Sequence, residues 1–307
     1  SDTRFEYYHR IEERVPFDLE FFNKITNGGL PNKTLNIALA GTGVGKSLFM
    51  CHMAASSLSE GKNVLYITLE MAEERIAERI DANLMNITMD DLHELPKKMF
   101  DDKIAKITKK TSGSLIVKEY PTASAHSAHF RGLIKELAIK KSFKPDIIFI
   151  DYLNICASSR FKGVQNANSY TIVKSIAEEL RGLAVECNVP IMSATQTTRS
   201  GFASTDVDLT DTSESFGLPA TADFMFALIS NEELDKLNQI VVKQLKNRYN
   251  DPTINKRFVL GIDRSKMRLY DVDNTQQNDL VDSGQFTPNS QTKATNQVVD
   301  KYDDFVF

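Results

Sequence analysis

The eight residues Ala40-Gly41-Thr42-Gly43-Val44-Gly45-Lys46-Ser47 constrain the fold of this chain more than any other stretch. They lie between an apolar run, Leu35 to Leu39, and an amphipathic run from Ser47 to about Glu60. A glycine-rich turn between a strand and a helix lets successive backbone N–H groups converge on phosphate oxygens, and the helix N-terminus adds its dipole. Gly41, Thr42, Gly43, Val44 and Gly45 would then cradle phosphates, Lys46 would reach the β- and γ-phosphates, and Ser47 Oγ would ligate Mg²⁺. Ala40 stands where such loops usually carry their first glycine. Alanine serves there as long as φ stays negative, because only a methyl group is added. The pattern calls for a nucleoside triphosphate bound where a strand of an α/β fold passes into the following helix.

With 307 residues and 41% hydrophobic content, the chain can bury the core of one large α/β domain or two small ones. No run of eighteen apolar residues could span a membrane, and the N-terminus carries no signal peptide, so a cytoplasmic location is expected. The chain begins Ser-Asp rather than with Met, which suggests processing or truncation. Cys51, Cys156 and Cys187 sit in or beside apolar segments and fit buried thiols in a reducing compartment better than a disulfide frame or a zinc site. A net charge of −4 argues against broad coating by nucleic acid but leaves room for a local basic track.

Residues 4–14 read as a short charged helix with an aromatic stripe, too short to stand alone, broken by Val15-Pro16-Phe17. A helix over Asp18 to Thr26 ends at Asn27-Gly28-Gly29 and leads into the strand before the phosphate loop. Beyond Gly61 the pattern predicts a strand at Val64 to Thr68, a helix at 72–86 and a lysine-rich helical insertion at 88–112. A short strand at 115–117, a helix at 128–141 and a fully apolar strand at 147–151 follow. A strong helix from Tyr170 to Cys187 precedes strands at 190–194 and 224–229, and 240–246, 258–263 and 268–271 look like an antiparallel edge. The alternation through residue 195 implies a mainly parallel, doubly wound sheet with antiparallel edge strands. Three regions result: 1–17, 18–271, and a polar tail at 272–307 that reads as disordered up to its acidic-aromatic tip, Asp303 to Phe307. That tip is either a docking peptide or an unremarkable chain end.

Ligands of open α/β sheets gather at the carboxyl ends of the strands. Asp151 closes an apolar strand, the expected place for a carboxylate that holds Mg²⁺ through water; an ordinary turn cap is the plainer alternative. Glu70 follows a strand expected close to the phosphate loop and could take a proton from an attacking water, or could simply complement the dipole of the next helix. Gln196 follows another strand and could bond a γ-phosphate, or be a structural amide. Lys246 and Arg248 share one strand face; they could complete a neighbour's site in trans or form a solvated basic edge, and the residues alone favour the edge. His126 and His129, three apart, lack further ligands at metal-binding spacing and fit a helix start better than a metal pair.

Several segments together resemble the DnaB-like replicative DNA helicases, RecA-like ATPases of bacteria and bacteriophages, most of all their T-even bacteriophage members. They are Ala40 to Ser47, Thr68-Leu69-Glu70-Met71, Ile150-Asp151-Tyr152-Leu153, Ser193-Ala194-Thr195-Gln196, Glu214 to Asp223 and Lys246-Asn247-Arg248-Tyr249. The resemblance spans about residues 4–265. It implies a RecA-like P-loop fold, ATP and Mg²⁺ as ligands, and hydrolysis at the subunit interfaces of a homo-hexameric ring that moves along single-stranded DNA. In that scheme Lys46, Ser47 and Asp151 bind nucleotide and metal, Glu70 is the base, and Gln196 senses the γ-phosphate. Lys246 and Arg248 become a piston lysine and an arginine finger supplied across the interface, and residues 1–17 a linker helix packed on a neighbour. DNA contacts fall to loops at 157–168, with Arg160 and Lys162, and 199–213, with Arg199. The family's primase-contacting N-terminal domain has no counterpart in this sequence, so contacts with primase, a helicase loader or single-strand-binding protein are expected through that missing part or the tail. Rival readings are a RecA-like recombination or clock-type ATPase and a non-motor ATP-binding docking module; no arginine-rich lid supports a small-molecule kinase.

Overall fold

The structure is a computed structural model that describes residues 4–5, 12–161, 168–197, 217–273 and 277. A two-stranded antiparallel ribbon, β1 (Arg14–Val15) with β2 (Leu30–Pro31), flanks helix α1 (Glu20–Ile25). The chain then alternates through β3 (Leu35–Ala40), α2 (Lys46–Ser59), β4 (Val64–Thr68) and α3 (Glu73–Met85). The lysine-rich insertion forms α4 (Met89–Glu94) and α5 (Lys97–Lys110), broken at Leu95-Pro96 because a residue before proline is pushed out of the helical region. Next come β5 (Leu115–Glu119), α6 (Ser127–Lys141), β6 (Ile147–Asp151), α7 (Ser169–Cys187) and β7 (Ile191–Gln196). Helix α8 (Gly217–Thr221) leads into β8 (Phe224–Ile229), α9 (Glu232–Lys236) and the strands β9 (Gln239–Asn247), β10 (Arg257–Asp263) and β11 (Arg268–Asp271).

One nine-stranded sheet runs in the order β11-β10-β9-β8-β3-β7-β6-β4-β5. The strands from β8 to β5 pair in parallel; β9, β10 and β11 return antiparallel, as the patterning predicts. Side chains alternate across the pleat, so each interior strand feeds two cores. Tyr66, Ile147 and Phe149 pack with residues of α1, α2 and α3, whereas Leu65, Ile67, Ile148 and Ile150 pack with residues of α6, α7 and α8. Beneath the phosphate loop Phe22, Phe49, Phe226 and Phe258 form an aromatic cluster with ring centroids 5.0–5.4 Å apart. Such pairs add to simple area burial.

The helix expected over 4–14 needs correcting at its end. Arg4 and Phe5 are helical and 6–11 lie outside the described residues, but Arg14 is in a strand. Its guanidinium donates to Thr26 O at 2.6 Å, and Val15 and Phe17 are buried in the main core. The folded body therefore starts by residue 14, not 18, because the apolar residues around Pro16 find the core. At the other end β11 finishes at Asp271, and Gln277 exchanges two side-chain amide bonds with the backbone of Val259, at 2.8 and 2.9 Å. The tail from 278 onward, including Asp303 to Phe307, lies outside the described residues. No described helix is long and apolar enough to cross a membrane.

Candidate functional site

The phosphate loop leaves β3 at a fully buried Ala40 and turns through Gly43 and Gly45, whose φ of +78° and +133° suit glycine. It enters α2 at Lys46, a buried lysine whose Nζ lies 5.7 Å from the centre of the Tyr152 ring. Burial pushes the Lys46 ammonium below its ordinary pKa, while the charges of Glu70 and Asp151 oppose that shift. Lys46 thus sits between two carboxylates brought in by strands distant in sequence.

Sheet register places the other groups. Gln196 is the last residue of β7 rather than one beyond it, and it pairs with Ala40; Thr197 N then donates to Ala40 O at 3.3 Å. Asp151 ends β6 opposite Thr68 of β4. Strand β4 is not a neighbour of β3, as β7 and β6 lie between them. Glu70 reaches the site through the turn beyond β4. Leu69 N donates to Asp151 O at 2.8 Å, and the Thr68 hydroxyl both donates to Met71 O and accepts from Met71 N. Those bonds hold an exposed Glu70 at the strand's end.

Asp151 is fully buried, and burial raises its pKa against the Tyr66 hydrogen bond, the Ser47 hydroxyl and the Lys46 charge. The Tyr66 hydroxyl donates to Oδ2 at 2.9 Å, whereas among the described residues none donates a hydrogen bond of ordinary geometry to the buried Oδ1. An unsatisfied buried carboxylate oxygen is costly. With Ser47 at the head of α2, the donor set fits a hard divalent cation reached through water.

Lys246 and Arg248 lie elsewhere. Strand β9 runs back along β8, so Lys246 pairs with Met225 and Arg248 N donates to Asp223 O, whereas Ala40 pairs with Leu228. The two groups are separated by roughly 15 Å along the sheet, at opposite strand ends. Lys246 Nζ donates to Pro219 O at 2.5 Å and Ala220 O at 3.2 Å, and burial lowers its pKa, helped by Arg248. Arg248 Nη1 donates to Asp223 Oδ1 at 2.9 Å.

Arg160 lies in a short 3-10 turn, Ser159–Phe161, and pairs with Glu178; Lys162 and Arg199 fall outside the described residues. The turn is tethered by Glu179, which accepts from the hydroxyls of Ser127 and Ser158 and from Ser159 N. Burial would raise the Glu179 pKa, but those hydrogen bonds outweigh it and lower it. His126 and His129 cap α6 reciprocally, each ring Nδ1 accepting a backbone N–H at 3.2 Å. Among the described residues no cluster of three His, Cys, Asp or Glu could hold a metal.

Residues 15–258 match the family model for the DnaB-like helicase C terminal domain. The chain belongs to the DnaB-like helicase family. A DnaB-like replicative helicase of Enterobacteria phage T4 is 45% identical over 275 residues, covering 89% of this chain and 58% of the relative. The replicative DNA helicase DnaB of Helicobacter pylori (strain ATCC 700392 / 26695) is 28% identical over 206 residues, covering 65% of this chain and 40% of the relative. The chain thus spans about half the length of these curated relatives. A solved structure of a DnaB-like replicative helicase described with its primase interactions superposes with a TM-score of 0.73 at 18% identity, covering 89% of this chain and 67% of that one. A second solved structure, described as an ATPase domain, gives 0.70 at 17% identity, covering 89% and 96%. At those identities the structures establish the RecA-like fold.

In this DnaB-like domain sequence reasoning missed several side chains around the site. Tyr66 looks like any strand residue until its hydroxyl is seen on Asp151. Arg264 donates to Val44 O at 3.2 Å and Asp235 Oδ1 at 3.0 Å, bracing the phosphate loop from the β10–β11 turn. Arg181 joins Arg248 on Asp223. Only Asp223 left a trace, as the last residue of a segment that carried the family resemblance.

Proposed function

We propose that this domain is the ATP-driven motor of a replicative DNA helicase, working as a homo-hexameric ring on single-stranded DNA. The observation that carries the reading is the division of the site residues between opposite ends of the sheet. Lys46, Ser47, Glu70, Asp151 and Gln196 gather at one end and Lys246 and Arg248 at the other, which supports a site that two subunits would complete. Within one subunit the loop amides from Gly41 to Gly45 and Lys46 would hold the triphosphate of ATP, and Gln196 would touch the γ-phosphate. Glu70, exposed at its strand end, would take the proton of the attacking water. Mg²⁺, held by Ser47 and through water by Asp151, would neutralise charge on the phosphate oxygens. Arg248 of the next subunit would stabilise the transferring phosphoryl group, an effect worth about 10³–10⁵ in rate.

Lys246 is bonded to carbonyls of α8, the helix that follows the loop assigned to DNA. A change at the interface could reach that loop through these bonds. Arg160, Lys162 and Arg199 would follow the phosphate backbone without reading sequence, six copies offsetting the chain's acidic balance. The segment before Arg14 would pack on a neighbour, and primase, a loader or single-strand-binding protein would dock through an N-terminal domain or the tail. The setting is the cytoplasm of a bacterial or phage-infected cell. The deciding experiment measures ATP turnover with and without single-stranded DNA alongside strand displacement. Stimulation with displacement is expected. No stimulation would sink the motor reading, and stimulation without displacement would favour a recombination-type ATPase.

A further inference from the structure

Beside Arg248, just past the end of β9, lies a second arginine brought in by a helix distant in sequence. Asp223 is buried just before β8 and accepts four hydrogen bonds from the described residues. Leu35 N donates to Oδ2 at 3.0 Å, Arg181 donates through Nε to Oδ2 at 3.1 Å and through Nη2 to Oδ1 at 3.2 Å, and Arg248 donates to Oδ1 at 2.9 Å. Arg181 comes from α7 and Arg248 from the end of β9, yet both open into one surface depression with Glu178, Gly182, Ala220 and Thr221. Their side chains stay 39% and 48% exposed while Asp223 is 5% exposed. Two cations therefore share one buried anion at the mouth of the depression.

We propose that Arg181 and Asp223 are positioning residues for Arg248: Asp223 aims the guanidinium, and Arg181 keeps Asp223 neutralised when Arg248 leaves it for a neighbouring subunit's nucleotide. The proposal rests on the trans-acting role assigned above to Arg248. A buried carboxylate stripped of its only cation is strongly unfavourable. With Arg181 and Leu35 N–H still in place, Asp223 retains three of its four hydrogen bonds, and releasing Arg248 costs little. Without Arg181 the same carboxylate would keep Arg248 as its one hydrogen-bonded arginine, with Lys246 contributing charge from farther off, and oppose its transfer to phosphate. Without Asp223 two arginines would share a depression with nothing to aim either.

The test compares steady-state ATP turnover of Arg181→Ala, Arg181→Lys, Asp223→Asn and the Arg181→Ala/Asp223→Asn double variant in the full chain, with Arg248→Ala in parallel. Asparagine keeps an oxygen for Leu35 N–H and the shape of the site, which protects folding; circular dichroism checks each variant. Arg181→Ala is expected to lower kcat about 10–100-fold with KM for ATP unchanged, as misplacement of a reacting group does. Arg181→Lys should recover part of that loss. The double variant should turn over faster than Arg181→Ala alone, because the amide oxygen of asparagine can still accept from Arg248 and aim it while no negative charge holds the guanidinium back. A double variant no faster than Arg181→Ala, or an Arg181→Ala enzyme with wild-type kcat, overturns the proposal. If Arg248→Ala itself keeps wild-type turnover, the arginine-finger reading fails instead, and the two failures are told apart.

Discussion

Asp81 and Asp151 are both carboxylates whose pKa is raised by burial, yet their surroundings differ. Asp151 lies within reach of Tyr66, Ser47 and Lys46, whereas burial alone pushes Asp81 up to about 6 from within α3. A folded-state pKa above the unfolded value means that Asp81 favours the fold when protonated. Its contribution is present below about pH 4 and is lost as pH rises through about 6. Asp81→Asn should therefore stabilise the protein at pH 7 by on the order of 1–2 kcal/mol, after allowance for solvent screening. The gain should vanish below pH 4, and urea melts of both proteins from pH 4 to 8 measure it. Equal pH dependence in the two would refute the assignment. This residue was invisible in the sequence, where Asp81 is one acid among several on a polar helix. Ser47, Glu70 and Asp151 were legible because a strand end or loop motif fixes where they point. Tyr66, Arg181 and Arg264 were not, since each gains meaning only from a contact with a residue far along the chain.

Strands were the most legible elements, as apolar runs bounded by polar turns leave little freedom; β8 and β11 have the residues the patterning predicts. Sheet order was not legible in detail. Strand β4, expected close to the phosphate loop, is separated from β3 by β7 and β6, and sequence alone does not say which strands intervene in a parallel crossover. The ribbon of β1 and β2 was missed because two residues per strand carry no periodicity. What fixes the ribbon is Gly29, at φ +131°, where a Cβ would sit 2.2 Å from Val15 O. That neighbour is backbone and cannot swing away. Gly29→Ala should destabilise the domain by about 2–4 kcal/mol, combining left-handed strain with displacement of the Val15 strand. Gly28→Ala has open space around it and should cost less, although its φ is also positive. Chemical denaturation of the pair separates strain from steric overlap; equal losses would show that the contact with Val15 does not matter.

At the scale of the whole molecule, the antiparallel return of β9 is what divides the proposed site. Had that strand run parallel to β8, Lys246 and Arg248 would lie at the phosphate-loop end of their own subunit. Because it runs back, they face away from it, bonded to Asp223 and α8. An assembly with head-to-tail contacts can close into a ring in which every loop meets a neighbour's arginine. That geometry gives a prediction no single-subunit mechanism shares. Lys46→Ala removes the loop's cation from a subunit that still offers Arg248, and Arg248→Ala does the reverse. Each alone should lose nearly all ATP turnover. Mixed in equal amounts and allowed to exchange, they should regain activity. About a quarter of interfaces would then join an intact loop to an intact arginine, if subunits mix at random around a closed ring. Turnover after mixing that stays at the level of the separate variants, with exchange verified by native mass, would mean that both groups act on one chain's own nucleotide.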